Sequence, residues 1–192
     1  MTEPGLPEIR IRLPDWVASA VDWDRVYSVV ADRMRLAIQL ARANVEHATG
    51  GPFGAAVFEL DTGRLVAVGV NLVTRDQNST LHAEMVALML AERRLGHYSL
   101  ASPDGPAHEL VTSCDPCAMC LGGALWSGVR RIVAGAGRVE ARRVGFDEGP
   151  VFPESYQYLR DRGVESVRGV LGAEATAVLE LYRERGGEIY NG

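Results

Sequence analysis

The sequence predicts a layered α/β sandwich built on a largely parallel or mixed sheet. Three observations lead there. Apolar residues recur at helical spacing through 24–48, where Val26, Val29, Val30, Met34, Ala37, Ile38, Ala41 and Val45 share a face, with Asp22 or Asp24 as candidate cap. Two strand-like runs, FGAAVFEL (53–60) and RLVAVGVNLV (64–73), flank the short turn DTG (61–63). Beyond them strand and helix signals alternate to the C-terminus, the order that lays helices onto the faces of a sheet.

Residues 1–21 contain Pro4, Pro7 and Pro14 and show no helical period, while IRIRL (9–13) alternates and reads as an extended arm or edge strand. TGGP (49–52) ends the first long helix, and RDQNST (75–80) is a polar loop. LHAEMVALMLAERRL (81–95) is nearly continuously apolar in its middle, as a buried helix would be. A loop at 102–107 leads to strand HELVTS (108–113), helix AMCLGGALWSG (118–128) and strand RRIVAGA (130–136). The expectation for the rest is a helix near 138–144, the loop GFDEGPVFP (145–153), a helix near 154–162, strand VESVRGVL (164–171) and a helix over 173–185. No internal repeat or composition shift divides the chain. The expected organisation is an N-terminal extension, 1–21, and a single domain, 22–192.

A chain of 192 residues with 47% apolar and 23% charged residues can bury a sizeable core. The net charge is -5, and all 20 basic residues are Arg. An acidic balance argues against broad binding to a nucleic-acid backbone, which needs a basic footprint. No run is long and apolar enough to cross a membrane. The N-terminus lacks the pattern of a secretion signal, so a cytoplasmic location is expected. Cys114, Cys117 and Cys120 lie close together, which in a reducing compartment reads as metal binding or redox chemistry rather than disulfides.

Two segments carry the chemistry: His82-Ala83-Glu84 and Pro116-Cys117-Ala118-Met119-Cys120. Zinc takes imidazole nitrogen and thiolate sulfur in a tetrahedral shell, and three protein ligands leave a position open for chemistry. His82, Cys117 and Cys120 supply three. Pro116 suits the first turn of a helix, which would put Cys117 and Cys120 on one face of that turn. His82 starts its own helix, so the metal would lie off two helix N-termini, whose positive ends favour thiolates. Glu84 would then reach the water at the metal rather than the metal itself. Zinc lowers the pKa of bound water to about 7. Glu84 would accept the water proton, pass it to a ring nitrogen and later to a departing amine. Cys114 is a possible fourth ligand, but reads more simply as a small buried residue.

With these motifs the sequence resembles the cytidine and deoxycytidylate deaminase superfamily over about residues 25–192. Within it the chain is similar to the bacterial guanine deaminase branch, which includes members acting on ammeline and other aminotriazines. The matching segments are GGPFGAAVF (50–58), HAE (82–84), TSCDPCAMCLGGALWSGV (112–129), GFDEGP (145–150) and IYN (189–191). The resemblance implies a three-layer α/β/α sandwich with a five-stranded mixed sheet, a Zn2+ cofactor and a small nucleobase substrate. It implies a homodimer, domain-swapped at the C-terminus, in which Tyr190 contacts substrate in the neighbouring subunit. It carries over Asn71, Phe53, Ala83, Trp126 and Asp147 as further substrate contacts, and Glu148 as a second proton-moving group. CDPC stands where the family more often has CEPC.

The expected activity is hydrolytic deamination of a free base, guanine to xanthine, with ammeline or another aminotriazine as a further substrate. Free guanine presents ring N–H and amino donors that buried carboxylates accept strongly. A sugar would remove one donor, favouring base over nucleoside. One alternative is a tRNA adenosine deaminase or another cytosine or nucleoside deaminase, since tRNA editors share HAE and PCxxC. Arg130, Arg131, Arg138, Arg142 and Arg143 form a basic run, which reads better as a solvated face. A third reading is a zinc module without catalysis.

Overall fold

The computed structural model describes residues 8–102 and 105–191. The first seven residues of the expected extension, Pro103 and Asp104 of the 102–107 loop, and Gly192 lie outside them. In chain order the elements are α1 (Val17–Ala20), α2 (Val30–Glu46), β1 (Gly54–Glu59), β2 (Leu65–Val70), α3 (Val73–Asp76) and α4 (Ala83–Leu95). Then come β3 (His108–Cys114), α5 (Ala118–Ser127), β4 (Arg131–Ala136), α6 (Arg138–Val144), α7 (Pro153–Asp161), β5 (Glu165–Val167) and α8 (Gly172–Glu184).

The five strands form one mixed sheet in the order β2-β1-β3-β4-β5. β1 runs antiparallel to both β2 and β3, and β3, β4 and β5 run parallel. Every residue of β1, β2 and β3 is buried, which explains why these strands read as apolar runs rather than as alternating ones. Alternate residues go to opposite faces. Ala56, Phe58, Val68, Val111 and Val133 pack with α2, α6 and α8. Ala55, Val57, Ala67, Leu110 and Ile132 pack with α4, α5 and α7. The result is the three-layer sandwich that the resemblance implies.

The expected boundaries hold to within a few residues except in three places, and two four-residue helices form where none was expected, α1 within the extension and α3 at the end of the second strand run and the start of the RDQNST loop. The first long helix begins at Val30, not near residue 24, and Val26 and Val29 are exposed. Residues before it find other backbone partners: Val26 bridges to Arg64 and the Tyr27 N–H donates to the Gly63 carbonyl. Asp22 therefore caps no helix, and accepts instead from the N–H groups of Asp24 and Arg25 in a turn. IRIRL is an arm, not a strand; Ile11, Leu13 and Trp16 lie against the core. The last strand is only three residues long, and the chain after it leaves the sheet for the turn that starts α8.

A buried ion network ties α2 to the sheet. The Glu109 side chain on β3 is fully buried and pairs with Arg33 of α2, itself almost fully buried, and with Arg131 of β4 at 2.7 Å. Arg33 also donates from Nε to the Tyr27 carbonyl and from Nη1 to the Leu60 carbonyl, so its desolvated charge is well satisfied.

Replacing Glu109 by Leu strands the Arg33 charge in the interior. The expected loss is about 3–5 kcal/mol, a drop in Tm of roughly 6–20 °C by thermal denaturation. Arg42→Ala, which breaks an exposed pair with Glu46, should change stability by less than about 0.5 kcal/mol. Equal effects from the two substitutions would refute the anchoring role of Glu109.

Candidate active site

The sheet order brings distant segments to one edge. Gly54 pairs with Val70, Ala55 with Thr112 and Cys114 with Ala136. Because β1 is antiparallel to both neighbours, the residue before it, Phe53, meets the ends of β2 and β3. Asn71 follows β2, and Cys114 to Cys117 follow β3. This edge is where the sheet changes from antiparallel to parallel pairing, a position at which open α/β sheets form crevices.

Two helices start there. His82 is the N-cap of α4 and Cys117 the N-cap of α5, both in extended conformation. Pro116 therefore precedes the helix and does not occupy its first turn. Cys120 sits at the third helical position, so the two sulfurs lie over the end of α5. His82 Nδ1 is 3.5 Å from Cys117 Sγ and 3.6 Å from Cys120 Sγ. All three ligand atoms fall within 4.8 Å of one another. A tetrahedral zinc with bonds of about 2.05 Å to nitrogen and 2.3 Å to sulfur would separate N from S by roughly 3.6 Å. The triangle thus fits a metal of that size and ligand preference. Cys114 is outside this group and buried; its thiol is pushed up by burial first and by the nearby carboxylates second.

The electrostatics of the triangle suit thiolate ligands. Cys117 is lowered to about 4, chiefly by the hydrogen bond from the Cys120 thiol, with His82 adding to it. Cys120 is pushed up because it holds the proton that the pair shares. Glu84, in the first turn of α4, is buried, and burial holds its carboxyl above the usual range, with the Cys117 charge acting in the same sense. Glu148 is pushed up to about 8 by burial, then by Cys117 and Glu84.

A small cavity opens on the triangle, with a volume of about 30 Å³, lined by Phe53, His82, Glu84, Cys117, Glu148 and Tyr190 among others. Asp147 is at its exposed rim. The volume suits a water rather than a purine. Tyr190 is among the lining residues. It stacks edge-on against Phe146 at 5.2 Å, and its hydroxyl lies so close to Gly51 that a Cβ there would overlap it. Asn71 is fully buried, and its Oδ1 accepts from the Val73 N–H. Its Nδ2 and the Tyr190 hydroxyl are buried without partners among the described residues. Unpaired buried donors beside a cavity are what a polar ligand would satisfy.

Not every expected contact comes to this place. Trp126 is 80% exposed on the outer flank of α5, because the helix turns its other side, with Cys120, Leu121 and Ala124, to the interior. Ala83 puts its methyl into the core, leaving only its backbone near the site. Tyr190 does line the cavity, which in the single chain described is that chain's own. The tail is held there by Asn191, whose Oδ1 accepts from the Asp147 N–H at 2.8 Å and whose Nδ2 donates to the Gly145 carbonyl at 2.9 Å.

Four residues around the site escaped sequence reasoning. Phe146 packs on both Phe53 and Tyr190. Asn191 ties the tail to the loop. Asn44 donates from Nδ2 to the carbonyls of Gly51 and Asn71 at 2.9 and 2.8 Å, fixing both sides of the cavity rim. Asp115 pairs with Arg168 behind the metal-ligating loop. The available signal was a polar side chain on the apolar face of α2 for Asn44, and the aromatic inside GFDEGP for Phe146. The basic run also disperses: Arg131 turns inward to Glu109, Arg138 donates to the Val151 carbonyl, and Arg142 and Arg143 face solvent.

The profile described as the zinc-binding region of cytidine and deoxycytidylate deaminases matches residues 29–136. The guanine deaminase of Bacillus subtilis is 36% identical over 121 residues, which cover 63% of this chain and 73% of the relative. The structure of a guanine deaminase from Nitrosomonas europaea is 41% identical, covers 92% of this chain and 97% of its own, and superposes with a TM-score of 0.88. A structure solved in complex with 2,6-diaminopurine is 42% identical, covers 95% of this chain and 96% of its own, and has a TM-score of 0.88.

If the triangle is a metal site, purified protein carries close to one equivalent of transition metal per chain, and Cys120→Ser carries far less. Elemental analysis after dialysis measures this, with circular dichroism to check the fold. Full metal content in the Cys120→Ser variant would rule the site out.

Proposed function

The chain belongs to the cytidine and deoxycytidylate deaminase family, and on that premise we propose that it is a zinc-dependent aminohydrolase that converts free guanine to xanthine and ammonia. One observation carries the reading: His82 and Cys117, two members of a His/Cys/Cys triangle at tetrahedral spacing, line one cavity with the buried carboxyls of Glu84 and Glu148. The full-length likeness to guanine deaminase supports the choice of ring. Ammeline, which also presents an amino carbon between ring nitrogens, is the next substrate in line.

His82, Cys117 and Cys120 would hold Zn2+. When bound, the metal supplies Lewis acidity that makes a water nucleophilic near neutral pH. Glu84 takes the water proton and delivers it to the ring nitrogen beside the amino-bearing carbon. The remaining hydroxyl oxygen bonds to that carbon; as the C–N bond breaks and the carbonyl forms, the hydroxyl's own proton goes by way of Glu84 to the leaving amine, and the ring nitrogen keeps the first. Burial, acting with the Cys117 charge, holds the Glu84 carboxyl above its ordinary value, which favours the proton-carrying form. Glu148 and Asp147 accept from the ring N–H and amino donors, and Glu148 is placed to move a second proton. Asn71 offers its unpaired Nδ2 to an acceptor on the base. Phe53 packs against the ring, the Ala83 backbone lies at the metal edge, and Tyr190 closes the cavity over the base.

We take 22–192 as the catalytic unit and 1–21 as an extension. Its described part packs on the end of α2, where Trp16 stacks on His47 at 5.3 Å. A cytoplasmic setting fits a cluster of free thiols that must stay reduced. No helix among the described residues is long and apolar enough to cross a membrane. We also propose a homodimer. Trp126 stands exposed beside an apolar groove lined by Leu121, Leu125, Val151 and Tyr158, and a symmetric contact would bury both. In that dimer, as the resemblance implies, the C-terminal tails exchange, so that Tyr190 contacts the base in the neighbouring subunit.

A tRNA substrate is disfavoured by the same geometry. The cavity is closed by Tyr190, and the arginines that would have formed a basic platform point in different directions. The non-catalytic reading leaves two buried carboxyls beside the metal triangle without a purpose.

Ammonia release measured on guanine, ammeline, cytosine, adenine, guanosine, cytidine and tRNA should be greatest with guanine. Guanosine should be turned over roughly 10–100-fold less efficiently than the free base. Activity confined to tRNA would favour an editing enzyme, and silence on every compound with zinc bound would favour a structural module. Glu84→Gln should lower kcat by about 10²–10⁴-fold. Glu148→Gln should cut guanine turnover; unchanged rates would remove it from the mechanism. Mixed dimers of Glu84→Gln and Tyr190→Ala chains distinguish the two tail arrangements. Tails that stay with their own chain give no recovery of activity, whereas exchange would restore one intact site.

A further inference from the structure

A second polar pocket lies on the far side of Asp115 from the metal cavity. It has a volume of about 280 Å³ and is lined by Arg138, Pro153, Tyr156, Arg160, Ser166 and Arg168. Three guanidinium groups from α6, α7 and the segment after β5 therefore converge on one concavity. Nothing in the deamination chemistry uses them.

The charges are only partly compensated. Asp115 is fully buried behind the pocket and takes Nε of Arg168 at 2.9 Å, with Nη2 on its other oxygen. Arg138 is 4.0 Å from the same carboxylate and spends one donor on the Val151 carbonyl. Arg160 has no carboxylate within ion-pair distance among the described residues; its one hydrogen bond goes to Gln157. One buried carboxylate thus serves two of the three guanidiniums, Arg168 at 2.9 Å and Arg138 at 4.0 Å, and none serves Arg160 among the described residues. Two of these lie against a single aromatic ring: the Arg138 and Arg168 guanidiniums are 5.4 and 4.8 Å from the centre of Tyr156. Like charges held this close favour an anion between them.

The pocket also holds unpaired hydroxyls. Tyr156 is 6% exposed, and its hydroxyl is buried without a partner. The Ser166 hydroxyl is buried and unpartnered as well. Both belong to the pocket lining. Unpaired polar atoms of this kind are uncommon in native structures and call for a partner. Guanidinium forks and hydroxyl donors together are the set that recognises a tetrahedral oxyanion.

We propose that this pocket is a binding site for a phosphate-class oxyanion, held by Arg138, Arg160 and Arg168 with the hydroxyls of Tyr156 and Ser166. The anion is either free inorganic phosphate or the phosphate of a larger molecule such as a nucleotide, and the volume admits more than a bare ion.

Isothermal titration of the metal-loaded protein with inorganic phosphate, at chloride-matched ionic strength, tests the site. One saturable binding event is expected. Arg160→Gln removes an exposed guanidinium without disturbing Asp115, and should weaken binding about 10-fold or more. Tyr156→Phe should weaken it about 5-fold while leaving the circular dichroism spectrum unchanged. A parallel titration with a nucleoside 5′-monophosphate separates the two sources. Equal affinity supports free phosphate as the ligand, and tighter binding that is also lost in Arg160→Gln supports a larger phosphate ester. Absence of saturable binding, or phosphate affinity unaffected by Arg160→Gln, would overturn the proposal.

Discussion

Two helices begin at the same point, and the rest of the site depends on that convergence. His82 caps α4, and Cys117 and Cys120 flank the start of α5. Their ligand atoms can lie 3.5–3.6 Å apart only if the two helix ends are held almost in contact. Both helices cover the same face of the sheet, and β2 and β3, on either side of β1, deliver them to the edge where pairing changes direction. The positive ends of two helix dipoles then meet at one place, which favours the thiolates. The same packing buries Glu84, and burial raises its carboxyl above the ordinary carboxylate value.

Around this point the molecule spends polar groups that a core would ordinarily avoid. Asn44 sits on the buried face of α2 with no exposure, yet both of its amide hydrogens are used, on the carbonyls of Gly51 and Asn71. Its Oδ1 accepts from Thr49, which in turn accepts from Trp16 of the N-terminal extension. A chain of hydrogen bonds therefore runs from the extension to the rim of the cavity. On the opposite rim Asn191 holds the tail to the loop that carries Asp147 and Glu148. Asp115 and Arg138 brace that loop and the cysteine turn from behind. These contacts are long-range in sequence, so cavity shape is a property of the whole fold.

Much of this was legible before the fold was known. The α4, β3, α5, β4 and α6 segments follow their hydrophobic periods closely, because each is long enough, or apolar enough, for burial to decide its conformation. The metal ligands and Glu84 were legible because a few residue types at short spacing do that chemistry. The N-terminus of α2 was not. Val26 and Val29 continue the helical period, but the backbone there bonds to the β1–β2 turn, which no periodicity announces. Trp126 misled for a related reason. An aromatic beside the PCxxC helix matches the family pattern, but the rotation of α5 about its axis is set by Leu121 and Ala124 packing on α4 and the sheet.

By itself the sequence determined the classes of element, the order in which they alternate, and the identity of the groups able to bind a metal and carry a proton. Those properties are local: they depend on residue type and on spacings of two to four. Tertiary structure decided which distant groups share the cavity. It brought Phe53, Asn71, Glu148 and Tyr190 together and left Trp126 in solvent. It also drew Arg138, Arg160 and Arg168 around one tyrosine. The reason is strand register and helix rotation, which fix positions to within an ångström through contacts between residues far apart in the chain, and no local spacing encodes them.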